Sequence, residues 1–412
     1  MASILVVGAF DAKREPLELL LDEIRRLGGT PVAIDTSVFA HGAPELDYDA
    51  ATVASEAGYD HASLAGVGRA VAVHSMGEGA AALAERLVRT GSVGAVVCIG
   101  GSNAATVFSM LTRVVPIGIP KFLMSTVVAG NTRPMMNATD VVMLYPIVDI
   151  EGSGAVVQSM ASRLASMAVA AADSNQIDLR ANASSRVGLT MFGVTTPCVS
   201  AARRLVEAEG LDAFVVHANG AGGQSLERFI ADSLVSTVLD ISTTELADEL
   251  FGGMFPAGPE RLRTAAKAGV PQVVSAGAID MINFGPLDTV PDVYRGRKLL
   301  PHNDLVTLVR TTPAENLLLG KTMGERLAPA TAPTVVVVPL KGVSELDKEG
   351  GEFFDPNATA AFLTGLSKTL PRSIKVIEID AHINDPAFAE TLVAHTLEVR
   401  DAAGFKNRRE AS

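Results

Sequence analysis

The chain has 412 residues, of which 48% are hydrophobic and 19% charged, and its formal net charge is −12. This length exceeds what one ordinary hydrophobic core supports, so two domains are expected. The composition, rich in small apolar residues, excludes an intrinsically disordered chain. The acidic charge argues against general binding to nucleic-acid phosphates, and we expect no nucleic-acid partner.

The cysteines and the apolar segments predict a cytoplasmic protein. Cys98 and Cys198 are isolated in apolar runs and offer no disulfide framework, which fits a reducing compartment. The first apolar run is short and no basic segment precedes it, so we expect no signal peptide. The long apolar stretch 155–172 contains serine, glutamine and arginine. It therefore predicts a packed helix and no membrane span.

From the N-terminus onward, short β-branched runs alternate with Ala- and Leu-rich helical patterns. The first predicted strand is SILVVG, a helix is expected to begin at Pro16, and the next strands are TPVAID, VGAVVCIG, KFLMST and DVVMLYP. After the polar segment 173–186 the pattern starts again with RVGLTMFG, LDAFVVH, VPQVVSAG, PTVVVVPL and IKVIEIDAH. The predicted fold class is α/β, with two Rossmann-like subdomains, 1–177 and 186–412. Each is expected to be a mostly parallel sheet flanked by helices.

The loop that follows VGAVVCIG is the strongest candidate for binding an anion, because open parallel sheets bind ligands beyond the carboxyl ends of their strands. Gly100 and Gly101 allow a ligand to approach the backbone closely. Ser102 and Asn103 then begin a helix, whose free N–H groups and positive dipole end favour phosphate or carboxylate. The alternative is an ordinary tight turn in which Ser102 caps the helix.

Two further segments are candidates for the same pocket. In the opening turn, Lys13 can neutralise a phosphate, and Asp11 can hold Mg²⁺ or a hydroxyl group. In the segment MSTVVAGNTRP, Arg133 can form a bidentate contact with phosphate, and Thr126 and Thr132 lie near it in sequence. The alternatives are a local Asp–Lys pair with a helix cap, and a surface arginine paired with an acid.

The second half has another Gly-rich loop and several histidines in polar segments. The glycines of NGAGGQS can wrap an acidic group, and His217 lies just before them. His302, Glu352 and His382 follow farther along the chain. A histidine near a carboxylate can act in acid–base catalysis or bind a metal, so these four are the candidate catalytic residues. Solvated loops, helix caps or a packed core histidine explain each of them as well, and the metal ligands stay unassigned.

An ordered set of motifs extends over almost the whole chain. The set is VVGAFDAKREP, CIGGSNAATV, LMSTVVAGNTRP, YPIVDIEG, GLTMFGVTTPCV, VVHANGAGGQSLE, LLPHNDLVTLVRTT, LKGVSELDKEGGEFFDP and DAHINDPAFA. In these motifs the chain resembles the uncharacterised family that includes the ATP-binding inhibitory domain of a plant tobamovirus-resistance protein. The resemblance implies two α/β subdomains, a homodimer and an ATP site in the first subdomain. Ala9 and Ala12 stand where the family commonly has threonine.

The resemblance also implies which residues face the phosphates of the nucleotide. Transferred onto this chain, they are Gly8, Asp11, Lys13, Gly100, Gly101, Ser102, Asn103, Thr126 and Thr132. Arg133 is added to this set by its residue type and position. ATP is thus the expected cofactor, with Mg²⁺ as a candidate companion ion.

Two functions from different classes follow from these observations. The first is an ATP-binding cytoplasmic protein with regulatory or slow ATP-dependent activity. The alternative is a metabolic enzyme of lyase or hydrolase type, acting on a small carboxylate or phosphorylated acid in the cleft between the subdomains. Whether the chain is an enzyme stays open here. A pure interaction scaffold is disfavoured, because polar residues concentrate at predicted strand ends.

Overall fold

A computed structural model describes residues 2–39, 46–173 and 178–405. The chain divides into two compact units, Met1–Ile177 and Asp178–Ser412, and each unit is described by itself. The predicted subdomain end at residue 177 lies outside the described residues. Both cysteines are buried free thiols, and burial raises the pKa of the Cys198 thiol to about 12.

The N-terminal unit is built on a parallel sheet. Its described strands are β1 (Ser3–Gly8), β2 (Thr30–Asp35), β3 (Val93–Gly100), β4 (Lys121–Ser125) and β5 (Val141–Leu144). They lie in the order β2-β1-β3-β4-β5, and every neighbouring pair is parallel. All residues of β3 are buried because helices cover both faces of the sheet.

Helices pack on both faces of this sheet. They are α1 (Phe10–Arg26), α2 (Ala50–Glu56), α3 (His61–Leu64), α4 (Arg69–Arg89), α5 (Ser102–Val114), α6 (Arg133–Met136) and α7 (Ala155–Asp173). Successive strand residues point to opposite faces, so β1 serves two cores. Leu5 and Val7 join the core under α4 and α5, and Ile4 and Val6 join the core under α1 and α7.

Helix α1 differs from its predicted start. It begins at Phe10, before Pro16, and its backbone breaks at Lys13, where φ is −135° and ψ is 36°. The break makes Pro16 part of the first turn of the segment that follows. A proline is tolerated there because its missing N–H would have no acceptor in a first turn.

Helix α7 is long and apolar enough to cross a membrane by length and composition, with a mean hydropathy of 1.2. It is the one helix in the described ranges that passes this test, which core helices also pass. In the structure Met160, Leu164 and Ala168 are buried. Their spacing of four residues places them on one helix face, which packs into the core.

The C-terminal unit has a second parallel sheet. The described strands of the whole unit, in chain order, are β6 (Arg186–Met191), β7 (Asp212–His217), β8 (Thr237–Ser242), β9 (Gln272–Gly277), β10 (Met281–Phe284), β11 (Leu299–Asn303), β12 (Val306–Arg310), β13 (Thr334–Pro339) and β14 (Lys375–Ile379). Of these, β10, β11 and β12 do not belong to the parallel sheet. The parallel sheet has the order β14-β13-β9-β8-β6-β7. The predicted α/β class with two mostly parallel, Rossmann-like sheets is therefore confirmed. Strand β8 is missed by the sequence patterns, because the charged Asp240 interrupts its apolar run.

The helices of this unit complete the α/β alternation. They are α8 (Thr196–Ala208), α9 (Ala221–Ala231), α10 (Glu245–Phe251), α11 (Thr264–Ala268), α12 (Pro313–Leu327), α13 (Pro356–Thr369) and α14 (Pro386–Ala402). The cores of the two faces include α8 and α14 on one side and α12 and α13 on the other.

A small antiparallel sheet is not predicted by the sequence patterns. Its described strands lie in the order β10-β12-β11, and β11 and β12 form a hairpin. The turn is stabilised by the N–H of Leu305, which donates to Oδ1 of Asn303 at 2.8 Å. Pro301, His302 and Asn303 are all exposed on β11. The strand therefore lacks the apolar alternation by which a half-buried strand is predicted.

Candidate functional site

A cavity of about 260 Å³ opens at the carboxyl edge of the N-terminal sheet. The segments after β1, β2 and β3 form its wall together with the start of α4. The lining consists of Ala9, Asp11, Ala12, Lys13, Thr36, Val38, Phe39, Arg69, Val73, Ile99, Gly100, Gly101, Ser102, Asn103, Ala104 and Val107. Open parallel sheets bind their ligands at this edge. Six of the predicted nucleotide-binding residues are brought together here: Asp11, Lys13, Gly100, Gly101, Ser102 and Asn103.

The two glycines between β3 and α5 have different roles. Gly100 has a φ of +145°, a backbone angle that residues with a side chain rarely adopt. A Cβ at this position would lie 2.9 Å from Cβ of Ala104. Gly101 has a φ of −85°, and a Cβ there would meet no atom within 4 Å. The fold therefore requires glycine at position 100. At position 101 glycine keeps the cavity wall open.

The first turn of α5 presents unused backbone N–H groups. Within the described ranges, the N–H groups of Ser102, Asn103 and Ala104 have no hydrogen-bond acceptor. The first bond of the helix runs from the N–H of Ala105 to the carbonyl of Gly101 at 3.1 Å. Gly101 is the N-cap residue and Ser102 the first helical residue, so the serine does not cap this helix. Such a helix start favours an anion.

Two cations line the same cavity. Nζ of Lys13 lies 2.7 Å from Oε2 of Glu151 and 3.7 Å from Oδ1 of Asp149, and both carboxylates are largely exposed. Exposed ion pairs contribute only ~0–1 kcal/mol, so a phosphate could replace these partners. Arg69 is exposed, and no ion pair joins it to any carboxylate in the part of the chain that the structure describes. Arg69 is not predicted from the sequence, because an arginine at a helix start belongs to no recognisable motif.

Asp11 connects the turn after β1 to the segment after β2. Its Oδ2 accepts the N–H of Phe39 at 3.2 Å, and its own N–H donates to Oγ of Ser37 at 2.9 Å. The buried Asp35 accepts the N–H of Phe10 at 3.2 Å through Oδ1. The backbone N–H groups at the start of α1 thus have acceptors within the protein, in contrast to those at the start of α5. No group of three or more metal-binding side chains was found among the described residues.

The other predicted phosphate contacts lie outside the cavity lining. Gly8 ends β1, and a Cβ there would lie 2.7 Å from a methyl group of Leu17, so this glycine serves packing and does not supply an unusual φ. Thr126 follows β4, whose last residue Ser125 donates from Oγ to the carbonyl of Gly101 at 3.4 Å. Thr132 and Arg133 lie farther along, at the start of α6.

The Gly-rich loop of the C-terminal unit already holds an acidic group. Oε1 of the buried Glu245 accepts the N–H groups of Gly220 at 2.6 Å and Gly223 at 3.0 Å. A Cβ at Gly222 would lie 1.8 Å from the carbonyl oxygen of His217, so the loop packs tightly. The acidic partner that the sequence predicts for this loop is therefore a side chain of the chain itself.

Glu245 belongs to a buried ionic cluster. Nε of Arg261 donates to Oε2 of Glu245 at 2.7 Å, and Nη2 donates to Oδ1 of Asp240 at 2.7 Å. Glu227 lies 3.5 Å from the same guanidinium, which is fully buried. Burial raises the pKa of Glu227 and of Glu245, and the positive charge of Arg261 opposes this rise.

The four candidate catalytic residues are dispersed in the C-terminal unit. His217 is exposed and stacks on Phe192 with ring centroids 5.6 Å apart. His302 is exposed on β11, and Glu352 is exposed in a loop. His382 is the member of this set that lines a second cavity, of about 620 Å³. The structure therefore does not bring the four together in one cavity.

Both ring nitrogens of His382 have partners. The N–H of Asn384 donates to Nδ1 at 3.2 Å, so Nε2 carries the proton and donates to the carbonyl of Ser344 at 2.8 Å. Lys341 and Lys348, which also line this cavity, are each paired with a carboxylate. Its cations are thus already neutralised, in contrast to Arg69 in the N-terminal unit.

The fold and the cavity define a two-unit, Rossmann-like α/β protein with an anion-compatible helix start in its N-terminal unit. The N-terminal domain of the Uncharacterised protein family (UPF0261) matches residues 2–177, and the C-terminal domain of this family matches residues 184–400. The chain belongs to this family.

Two related proteins support the assignment of the chain to this family. The UPF0261 protein of Clostridium tetani is 36% identical over 388 residues, which cover 94% of this chain and 96% of that protein. The ToMV resistance protein Tm-1 of Solanum lycopersicum is 38% identical over 310 residues, or 74% of this chain and 41% of that protein. The resemblance drawn from the motifs is thus confirmed. A UDP-N-acetylglucosamine 2-epimerase structure from Rickettsia bellii covers 66% of this chain and 78% of its own chain at 9% identity, with a TM-score of 0.24.

Proposed function

We propose that the N-terminal unit binds ATP, with its phosphates at the start of α5. The observation that carries this proposal is the run of unused N–H groups at Ser102, Asn103 and Ala104, which face a cavity at the carboxyl edge of a parallel sheet. Lys13 and Arg69 line the same cavity and supply positive charge. Backbone N–H groups and nearby cations together are the usual partners of a nucleotide phosphate.

The size of the cavity indicates how ATP would lie in it. Small-molecule sites commonly have volumes of roughly 300–1,000 Å³, whereas this cavity has about 260 Å³. The phosphates would lie at the start of α5, and the nucleoside would extend along the rest of the lining and beyond the cavity. Asp11 is the carboxylate of the lining, and Mg²⁺ would enter with the nucleotide, because Mg²⁺ usually combines one or two carboxylates with substrate phosphates.

The proposed role of this site is regulatory, or a slow ATP-dependent activity. The similarity to a resistance protein of tomato is compatible with a regulatory role, although that protein's action need not be shared. The metabolic-enzyme alternative stays a prediction, since no observation above favours it over the nucleotide site.

Calorimetric titration with ATP, with and without Mg²⁺, tests the proposal, with AMP and inorganic phosphate as comparison ligands. Gly101→Ala adds a methyl group at the cavity wall without meeting any atom within 4 Å. Gly130→Ala is the matched control, because it is exposed in the same unit and its Cβ would also meet no close atom, the nearest lying 3.6 Å away. Gly101→Ala and Arg69→Ala should weaken ATP binding, and Gly130→Ala should not. Absence of saturable binding to the wild-type chain would refute the proposal.

A further inference from the structure

An exposed aromatic ring lies at the cavity of the N-terminal unit. Phe39 lines the cavity and is 60% exposed. A phenylalanine that stays in water forgoes the stabilisation that burial of its ring would provide. A ligand that covers the ring would recover part of this stabilisation.

Hydrogen bonds fix the backbone that carries this ring. The N–H of Phe39 donates to Asp11, whose own N–H donates to Oγ of Ser37. Val38, which lies between Ser37 and Phe39 in the chain, is buried in the core and also lines the cavity. The backbone of Phe39 is therefore hydrogen-bonded to the turn that carries Lys13, so the ring starts from a fixed point beside the proposed phosphate site.

The lining of the cavity combines polar and apolar groups. Backbone N–H groups and two cations supply the polar groups. The apolar groups are the side chains of Val38, Val73, Ile99, Val107 and Phe39. A ligand that suits this lining has an anionic group and a flat apolar ring. A nucleotide has both, and free phosphate or a simple carboxylate has only the first.

We infer that Phe39 is the stacking surface for the base of a nucleotide in this cavity. The inference rests on the proposed function and adds which residue binds the base of the nucleotide. Every base has a π face, so stacking tolerates any base and follows ring area. ATP and GTP should therefore bind alike, UTP more weakly, and tripolyphosphate, which has no ring, most weakly.

The chain has no tryptophan, so a single tryptophan can report on the ring position directly. In Phe39→Trp, ATP should quench the fluorescence of the introduced tryptophan, and tripolyphosphate should not. Tyr145→Trp is the matched control, because Tyr145 is an exposed aromatic residue of the same unit, 47% exposed, that does not line the cavity. Its fluorescence should respond to neither ligand.

Affinity measurements complete the test. Phe39→Ala should weaken ATP binding by about 5- to 150-fold, the equivalent of ~1–3 kcal/mol per stacked base, and leave tripolyphosphate binding unchanged. Phe39→Tyr should retain ATP affinity, since it retains the ring. Wild-type affinity for ATP in Phe39→Ala, or equal wild-type affinities for ATP and tripolyphosphate, would overturn the inference and leave the phosphate site standing. If the wild-type chain binds neither ligand, the proposed function fails, and the inference fails with it.

Discussion

Replacement of Arg261 by methionine tests the interpretation of the buried ionic cluster. Arg261 is fully buried, and its guanidinium forms hydrogen bonds with Asp240 and Glu245 and lies 3.5 Å from Glu227. Methionine preserves most of the volume and removes the charge. Three buried carboxyl groups then lose their common cation, and one of them, Glu245, also holds the Gly-rich loop.

The expected cost is large. Removal of one partner of a buried ion pair commonly destabilises a protein by about 3–5 kcal/mol, because the remaining charge stays buried without compensation. A domain has a total free energy of unfolding of only about 5–15 kcal/mol. For a domain of this size each kcal/mol lowers Tm by about 2–4 °C, so we expect a decrease of roughly 6–20 °C.

The loss should depend on pH in a defined direction. Burial raises the pKa of Glu227 and of Glu245 above the ordinary value of 4.5. The folded state of such an acid binds more protons than the unfolded state, so its stability increases as the pH falls between the folded pKa and the unfolded pKa. Removal of Arg261 raises these folded pKa values further. The loss of stability in Arg261→Met relative to the wild-type chain should therefore be largest at pH 8 and decrease toward pH 5.

Thermal unfolding at pH 8 and pH 5 measures both effects, and hydrogen exchange in β8 and β9 assigns the loss to the C-terminal unit. Arg203→Met is the matched control, because Arg203 forms an exposed pair with Glu207 four residues away on α8. Such a pair contributes about 0.3–0.5 kcal/mol, so Tm should change by no more than about 2 °C. The reasoning would be refuted by an Arg261→Met Tm within 2 °C of wild type at pH 8, or by a deficit that increases as the pH falls.

Three further predictions concern the other groups described above. Glu151→Gln removes the closest partner of Lys13 and should tighten ATP binding by about 1.4- to 5-fold in calorimetry, since the lysine no longer leaves an ion pair worth ~0.2–1 kcal/mol; weaker binding would contradict the proposed exchange. Gly100→Ala should lower the free energy of unfolding by about 1–3 kcal/mol in denaturant titrations, because of the positive φ and the contact with Ala104, and a cost as small as that of Gly101→Ala would be inconsistent with this geometry. Burial raises the pKa of Asp248 to about 7, so the C-terminal unit should lose about 2–3 kcal/mol of stability per such group between pH 5 and pH 7, and a stability that does not change over this interval would show that the carboxyl group is charged in the fold.

Much of the fold follows from local patterns. The buried strand VGAVVCIG, the alternation of strands with helices and the glycines at the end of β3 each depend on neighbouring residues, and the structure has them where the sequence places them. Features without apolar periodicity could not be predicted in this way. The exposed strand β11 and the central strand β8, which carries Asp240, are the examples.

The sequence by itself determined the fold class, the family and one glycine loop suited to an anion, because strand period, helix period and backbone freedom are properties of short segments. Only the tertiary structure decided which residues complete each loop. Glu245 reaches the loop at Gly220 from 25 residues away, and Arg69 and Phe39 reach the cavity from separate segments. The two Gly-rich loops look alike in sequence, yet one is filled by a carboxylate of the chain and the other opens onto a cavity. The physical reason is that occupancy depends on long-range contacts, which the packing of distant segments establishes and local sequence does not encode.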